Sequence, residues 1–223
     1  VLANSTRFAA ELQPYNPHTY PIETGVNLEL YNPAKKYETP GDMQDIPRPI
    51  IGYMGTINST RLDGELLYQI ISQRPDYSFV FTGPEDDIFR RNRIHSLKNA
   101  YFTGQKKVDE LPAYIAAYDV CINPQMVNEI TDGNYPLKID EYLAMGKPTV
   151  ATSTHTMRNI FAGHTHLAIN PEEWLAAIDR AVTEADDKEL AKQRIAFAET
   201  HSWGHSVKKI YDIIDKFLKE RTT

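Results

Sequence analysis

Residues 55–61, GTINSTR, combine a glycine, hydroxyl groups and a cation in one short loop. Gly55 allows a sharp backbone turn at the end of a strand, Thr56 offers a hydroxyl group, and Arg61 lies where a helix is expected to begin. Free N–H groups at a helix N-terminus together with a guanidinium form a site for an anion such as phosphate. The alternative is a helix capped by its own loop beside a solvated arginine. The missing G-K-[ST] pattern excludes a Walker loop.

A second candidate anion site lies in residues 128–148, where a polar loop leads into a helix. Pro136 suits the first turn of a helix, so the N–H groups around Tyr135–Leu137 are expected to face an anion. Lys138 and Glu141 are three residues apart and share one helix face. The lysine can neutralise a diphosphate, and the carboxylate can accept two hydrogen bonds from a ribose diol. On spacing alone the alternative, an exposed ion pair worth about 0.2–0.5 kcal/mol, is favoured.

A third polar loop, residues 104–107 (GQKK), follows a predicted strand. The backbone at Gly104 and Gln105 can meet a nucleobase, with Lys106 near a phosphate. The alternative is a surface loop with two solvated lysines. In contrast, the seven histidines show no metal-ligand spacing, and the single Cys121 excludes a disulfide and a cysteine-cluster metal site. We therefore expect no metal and no separate cofactor.

The composition is that of a soluble globular protein, with 41% hydrophobic and 24% charged residues among 223. The net charge of −6 argues against nucleic acid as a partner, because nucleic-acid-binding surfaces usually carry a basic excess. No apolar run reaches the length of about 18 residues that predicts a membrane span. The N-terminus lacks the order of a signal peptide, and the expected location is the cytoplasm.

After residue 49, short apolar runs that often end at glycine alternate with helical patterns. This alternation predicts an α/β fold with a doubly wound, Rossmann-like parallel sheet, in which ligands bind beyond the carboxyl ends of the strands. The predicted strands of this sheet are 49–55, 77–82, 100–103, 119–123, 149–152 and 167–170, and the predicted helices include 111–117, 137–145, 172–185 and 188–200. Residues 31–49 contain four prolines and many charges, so they predict a linker.

Several segments, in order, resemble the retaining family 4 glycosyltransferases of the GT-B fold. Residues 136–152, PLKIDEYLAMGKPTVAT, resemble the nucleotide-sugar-binding motif of that family. Further similar segments are 51–61 (first strand and phosphate loop), 74–84 (second strand), 99–124 (third strand, base loop and fourth strand), 24–27 (the turn between the two domains) and 201–203 (start of the terminal helix). The resemblance covers nearly the whole chain.

The resemblance implies a domain organisation, because GT-B enzymes hold the acceptor in one Rossmann-like domain and the donor nucleotide sugar in the next. Residues 1–30 would be the tail end of the acceptor domain, 31–48 the linker and 49–200 the donor domain. Residues 201–223 would form a C-terminal helix that packs back toward the N-terminal domain. Most of the acceptor domain would then lie outside this chain, which alone would transfer no sugar.

The implied activity is transfer of a sugar from a nucleoside diphosphate sugar to a polysaccharide, lipid or other glycan acceptor. Any contact with a membrane would be peripheral and would be made by the acceptor domain. One alternative is a nucleotide-sugar 2-epimerase, which binds the same donor but needs acid and base groups in the cleft. Another is a non-catalytic nucleotide-sugar-binding module.

The resemblance also implies residue roles. Glu141 matches the glutamate that binds the ribose hydroxyls, and Arg61 and Lys138 would stabilise the departing diphosphate. The remaining nucleotide contacts are expected from Gly55, Thr56, Gly104, Gln105, Lys106, Tyr135, Pro136 and Leu137, and the sugar contacts from Asp132, Gly133 and Asn134. Gly133 departs from the family pattern, which has a second glutamate eight residues before Glu141. This departure favours the non-catalytic alternative.

Overall fold

A computed structural model describes residues 1–22 and 24–222 of the chain, with side chains up to residue 219. The strands are β1 (Leu2–Ala3), β2 (Tyr20–Pro21), β3 (Ile50–Met54), β4 (Ser78–Thr82), β5 (Ala100–Gly104), β6 (Val120–Asn123), β7 (Thr149–Thr152) and β8 (His166–Ala168). The helices are α1 (Thr6–Leu12), α2 (Gly64–Ser72), α3 (Leu111–Ala117), α4 (Leu137–Ala144), α5 (Pro171–Thr183), α6 (Lys188–Glu199) and α7 (Trp203–Thr222). Residues 23 and 223, which fall in the predicted 1–30 and 201–223 regions, lie outside the described residues.

The main sheet has six parallel strands in the order β5-β4-β3-β6-β7-β8. β3, β4, β6 and β7 are buried along their whole length, which explains why they read as continuous apolar runs rather than alternating patterns. The strand order reverses between β3 and β6, and such a switch point opens a crevice at the carboxyl ends of the strands. The predicted doubly wound α/β fold is confirmed.

Helices cover both faces of the sheet. On one face, α3, α4 and α6 pack around Tyr118, Tyr142 and Leu143. On the other face, α2 and α5 pack around Leu67 and Trp174. The large side chains of the core on both faces are almost completely buried. This close packing fixes the positions of the strand ends, from which the polar loops extend.

The predicted start of α2 at Arg61 is wrong. The helix begins at Gly64, and the Asp63 side chain caps it by accepting a hydrogen bond of 2.9 Å from the Leu66 N–H. Residues 57–59 are instead hydrogen-bonded to the loop after β4. The Ile57 N–H donates to the Pro84 carbonyl, and the Ser59 N–H donates to Asp86. Arg61 therefore lies in a hydrogen-bonded turn, in which its N–H donates to the Asn58 carbonyl at 3.1 Å, and no free helix N-terminus accompanies it. A carboxylate already occupies the N-terminus of α2.

The predicted linker, residues 31–49, packs closely on the sheet domain. Tyr31 is 3% exposed and Met43 is 1% exposed, and both belong to the core around α3 and α4. The only regular structure in this segment is a single 3-10 turn at Gly41–Met43. The prolines and charges of this segment predicted that it forms neither a helix nor a central strand, as observed, but its burial depends on contacts with the sheet domain.

The N-terminal segment of the described residues lies against the terminal helix. β1 and β2 form a small parallel sheet, Val26 pairs with Ser202 just before α7, and the His18 ring lies 4.8 Å from the Phe217 ring in α7. Several large apolar side chains of α7 are exposed, with Trp203 at 51% and Leu218 at 56%. Among the helices of the described residues, none has the length and apolar character that a membrane crossing requires.

The middle of β3 leaves no room for a side chain at Gly52, because a Cβ atom there would lie 2.2 Å from the ring of Tyr118. That ring is fully buried, and its hydroxyl is hydrogen-bonded to Thr82 at 2.6 Å, so it cannot move aside easily. We expect Gly52→Ala to lower the free energy of unfolding by about 1–3 kcal/mol, as overpacking of a core does. Urea denaturation followed by circular dichroism measures this change.

Gly41→Ala is the matched control, since a Cβ at Gly41 meets no atom within 4 Å. It should change the free energy of unfolding by less than about 0.5 kcal/mol. Equal stability of the two variants would contradict this account of the β3 core.

Candidate functional site

A cavity of about 740 Å³ opens at the carboxyl edge of the sheet, beside the switch point between β3 and β6. It is lined by side chains or backbone from the loops after β3, β4, β5 and β6 and from the start of α4. The predicted site residues that line it are Gly55, Thr56, Arg61, Gln105, Lys106, Asn134, Tyr135, Pro136, Leu137, Lys138 and Glu141. The sequence therefore predicted most of the lining, although three predicted residues lie elsewhere.

Two loops meet at the centre of the cavity floor. Gly55 has φ +136°, and its N–H donates to the Thr82 carbonyl at 2.9 Å. A Cβ atom at Gly83 would lie 2.0 Å from the Gly55 carbonyl oxygen. Glycine at both positions therefore lets the loops after β3 and β4 touch, which brings the β3 loop (residues 55–61) over the end of the sheet.

The Lys138 ammonium lies directly over the β3 loop. Its Nζ donates to the Tyr53 hydroxyl at 2.7 Å and lies 4.1 Å from the centre of the Tyr53 ring. The same Nζ is 2.7 Å from the position that a Cβ atom on Gly55 would take. The predicted alternative, in which Lys138 forms an exposed pair with Glu141, does not describe this geometry. The lysine from α4 instead contributes its charge to the β3 loop.

The start of α4 faces the same cavity. Pro136 precedes the helix and provides no side-chain cap. The Ile139 N–H donates to the Pro136 carbonyl at 2.9 Å, whereas the N–H groups of Leu137 and Lys138 have no acceptor among the described residues and remain available beside the Lys138 ammonium. Tyr142 attaches the helix to the sheet, because its hydroxyl accepts a hydrogen bond of 2.8 Å from the Met54 N–H at the end of β3. Two sources of positive potential, a helix N-terminus and an ammonium, are thus fixed against the β3 loop.

Glu141 lies one turn deeper along α4 and lines the cavity. Burial raises the pKa of its carboxyl group, and a hydrogen bond from Tyr31 and the nearby Lys138 charge offset part of that rise. Burial and the adjacent carboxylate in turn raise the pKa of the Tyr31 hydroxyl. The site therefore holds a largely desolvated carboxyl group whose remaining acceptor positions can serve a ligand.

The β5 loop (residues 104–107) closes another side of the cavity. The Lys106 Nζ donates to Asp42 at 2.7 Å, and the Tyr114 hydroxyl donates to the same carboxylate at 2.7 Å. The Lys106 charge is therefore neutralised by a residue of the 31–49 segment rather than left for a phosphate. Gln105 and the backbone of this loop remain on the cavity surface.

Arg61 stands at the rim of the cavity as an exposed side chain, and within the described residues the structure records no partner for its guanidinium. The Arg61 carbonyl accepts a hydrogen bond of 2.8 Å from the Met126 N–H, which ties the β3 loop to the loop after β6. A flexible cation at the rim can reach a bound anion without being held there beforehand.

Asp132, Gly133 and Gly104 do not line the cavity. Asp132 accepts a hydrogen bond of 2.8 Å from the His155 N–H, and its other oxygen lies 3.8 Å from the Arg7 guanidinium. A Cβ atom at Gly133 would lie 2.7 Å from Cδ of Arg7. The side chain of Arg7, from the N-terminal segment, thus fills the space where a glutamate at position 133 would begin. The Gly104 carbonyl is occupied by the Gly83 N–H at 2.9 Å.

Several residues that contact the predicted ones were not predicted themselves, among them Tyr31, Asp42 and Tyr53. The sequence could have identified Tyr53 as a candidate, because a tyrosine two residues before the strand-ending Gly55 lies at the edge of the sheet where ligands bind. No local pattern marks Tyr31 or Asp42, because their contacts with Glu141 and Lys106 join residues that are far apart in the sequence.

Solved structures share this fold. A glycosyltransferase from Rickettsia africae superposes with a TM-score of 0.77 at 21% identity and covers 98% of this chain and 63% of its own. HepE of Anabaena in complex with UDP gives 0.75 at 16% identity, covering 99% and 63%. Sucrose-phosphate synthase from Thermosynechococcus elongatus gives 0.73 at 20% identity, covering 99% and 58%. At identities this low, the similarity shows a shared fold. That fold is the GT-B fold of glycosyltransferases, as predicted.

Sequence comparison identifies a relative and a family. TuaH of Bacillus subtilis (strain 168), which its name assigns to teichuronic acid biosynthesis as a glycosyltransferase, is 27% identical over 188 residues, or 82% of this chain and 47% of TuaH. The chain thus spans about half the length of this relative. Residues 48–184, more than half of the chain, match the family described as glycosyl transferases group 1. This match covers β3 to α5, including every loop of the cavity, and the chain belongs to the glycosyl transferases group 1 family.

Proposed function

We propose that this chain is the donor-binding half of a glycosyltransferase that transfers a sugar from a nucleoside diphosphate sugar to a glycan or lipid acceptor. The observation that carries the proposal is the pairing, in one cavity, of a candidate anion site with a partly buried carboxyl group. Lys138 and the start of α4 form the anion site over the β3 loop, and Glu141 is the carboxyl group one turn away. A nucleoside diphosphate carries the matching pair of groups, a diphosphate and a ribose diol.

The proposed contacts follow from these positions. The diphosphate lies between the β3 loop and the first N–H groups of α4, where Lys138 neutralises part of its charge and Arg61 can reach it from the rim. The ribose hydroxyls donate to Glu141. The base lies against the backbone of the β5 loop at Gln105, beside Leu111.

The proposed chemistry needs positive charge where the bond to the sugar breaks. As the sugar leaves, negative charge grows on the diphosphate, and Lys138 and Arg61 stabilise it. These cations and the helix N-terminus supply the neutralisation without a metal. The acceptor would be held by a second domain, because bringing donor and acceptor together supplies a large part of the rate. Retention of configuration at the sugar stays a prediction.

The experiment that tests this function measures turnover by the protein that joins this chain to its acceptor-binding half. Hydrolysis and transfer are followed with uridine, guanosine and adenosine diphosphate sugars, in the presence of a chelator. We expect turnover with one class of donor and none by this chain alone. A folded chain that binds none of the three nucleoside diphosphates would overturn the site assignment.

Glu141→Gln tests the ribose contact. The amide keeps the shape of the side chain but removes the charge and one acceptor, and hydrogen bonds to charged groups are worth about 1.5–3 kcal/mol. We expect nucleoside diphosphate affinity, measured by calorimetry, to fall about tenfold or more, with a much smaller loss for the 2′-deoxy analogue. The free energy of unfolding should not fall, because the substitution removes a buried charge. Equal losses for the two ligands would instead assign Glu141 a general structural role.

The pH dependence of binding provides a second test of Glu141. Because burial raises its pKa, the carboxylate becomes protonated at a pH above its ordinary value of 4.5. The charged form binds the ribose, so the preference for the ribonucleotide over the 2′-deoxyribonucleotide should be full above the raised pKa and decline as pH falls through it. Protonation of the phosphates affects both ligands alike and cancels in the ratio. A ratio that is independent of pH in the unsubstituted chain, as expected for Glu141→Gln, would contradict the assignment.

A further inference from the structure

Tyr53 occupies an unusual place for a core tyrosine. Its ring is 2% exposed and packs in the core on the α2 side of the sheet, 6.3 Å from the ring of Phe81. Its hydroxyl nevertheless reaches the cavity at the end of β3. There it accepts a hydrogen bond from the Lys138 Nζ at 2.7 Å and donates one to the Thr56 carbonyl at 2.9 Å.

The directions of these two bonds are fixed by the chemistry of the groups. An ammonium can only donate and a carbonyl can only accept, so the hydroxyl must accept from Lys138 and donate to Thr56. The hydroxyl therefore links the two segments that form the anion site, the β3 loop and the start of α4. The ring below it adds a cation–π contact to the same ammonium, at 4.1 Å.

We propose that Tyr53 is a positioning residue for the donor diphosphate, acting by holding the Lys138 ammonium and the Thr56 backbone in their binding arrangement before the ligand arrives. A lysine side chain has many rotamers, and fixing one of them during binding reduces affinity. Tyr53 fixes it in the free protein. The inference rests on the proposed function, because it assumes that the anion over the β3 loop is a diphosphate.

Tyr53→Phe separates this role from packing. Phenylalanine keeps the buried ring, the contact with Phe81 and the cation–π contact, and it removes only the hydroxyl that orients Lys138 and Thr56. Lys138→Met keeps the aliphatic stem and removes the charge. Tyr77→Phe is the matched control, because the Tyr77 hydroxyl also bonds to a side chain, Asp179 at 3.1 Å, but lies outside the cavity lining.

The experiment compares two ligands in the single variants and in the double variant Tyr53→Phe with Lys138→Met. The ligands are whichever of uridine, guanosine and adenosine diphosphate the unsubstituted chain binds most tightly, measured by calorimetry, and the matching nucleoside, titrated by NMR. We expect Tyr53→Phe to weaken diphosphate binding about 3–10-fold and nucleoside binding less than twofold, in line with the loss of one hydrogen bond. With Lys138→Met already present, Tyr53→Phe should have little further effect, and Tyr77→Phe should change neither affinity.

Each other outcome counts against the proposal in a distinguishable way. An unchanged diphosphate affinity in Tyr53→Phe, an equal loss for the nucleoside, or additive effects in the double variant would overturn the positioning role while leaving the proposed function intact. No binding of any nucleoside diphosphate by the folded, unsubstituted chain would overturn the proposed function and this inference with it.

Discussion

The hydrogen bond from the Gly55 N–H to the Thr82 carbonyl, 2.9 Å long, joins the ends of β3 and β4 just where the cavity begins. Gly83 allows this contact, since a side chain there would overlap the Gly55 carbonyl. The β3 loop is thereby held low over the sheet, and the space above it is open to the Lys138 side chain. In the proposed function, this arrangement lets the ammonium and the loop backbone face the same anion.

The site contains positively charged groups and a separate carboxyl group. In the proposed function the ammonium and the N–H groups at the start of α4 attract an anion, whereas Glu141 lies in a desolvated position where its charge opposes folding. An ionisable group with such a perturbed pKa in a cleft is typical of functional sites, which often retain groups that a purely structural design would replace. The same reasoning does not extend to Lys106, whose charge is already matched by Asp42.

Segments outside the main sheet complete the site. Tyr31 hydrogen-bonds to Glu141, Asp42 bonds to Lys106, and Arg7 lies against Gly133. These contacts explain the departure from the family pattern at position 133 in steric terms, because the side chain of Arg7 occupies the space that a glutamate would need. They also show that residues 31–49, although irregular, contribute to the structure around the cavity. Gly133 thus packs against Arg7, and the non-catalytic module stays a prediction.

The sequence alone determined the α/β class, the positions of all six strands of the main sheet to within a few residues, and most of the cavity lining, because buried parallel strands and strand-end glycines leave local patterns. It also placed Lys138 and Glu141 on one helix face, which follows from helical periodicity. Tertiary structure decided the rest. The start of α2 depends on its cap, Asp63, which the sequence does not distinguish from other polar residues nearby. Lys138, Lys106 and Gly133 contact Tyr53, Asp42 and Arg7, respectively, which lie 64 or more residues away in the chain. Local pattern carries no information about such contacts, since they form only when the sheet brings distant loops to one edge.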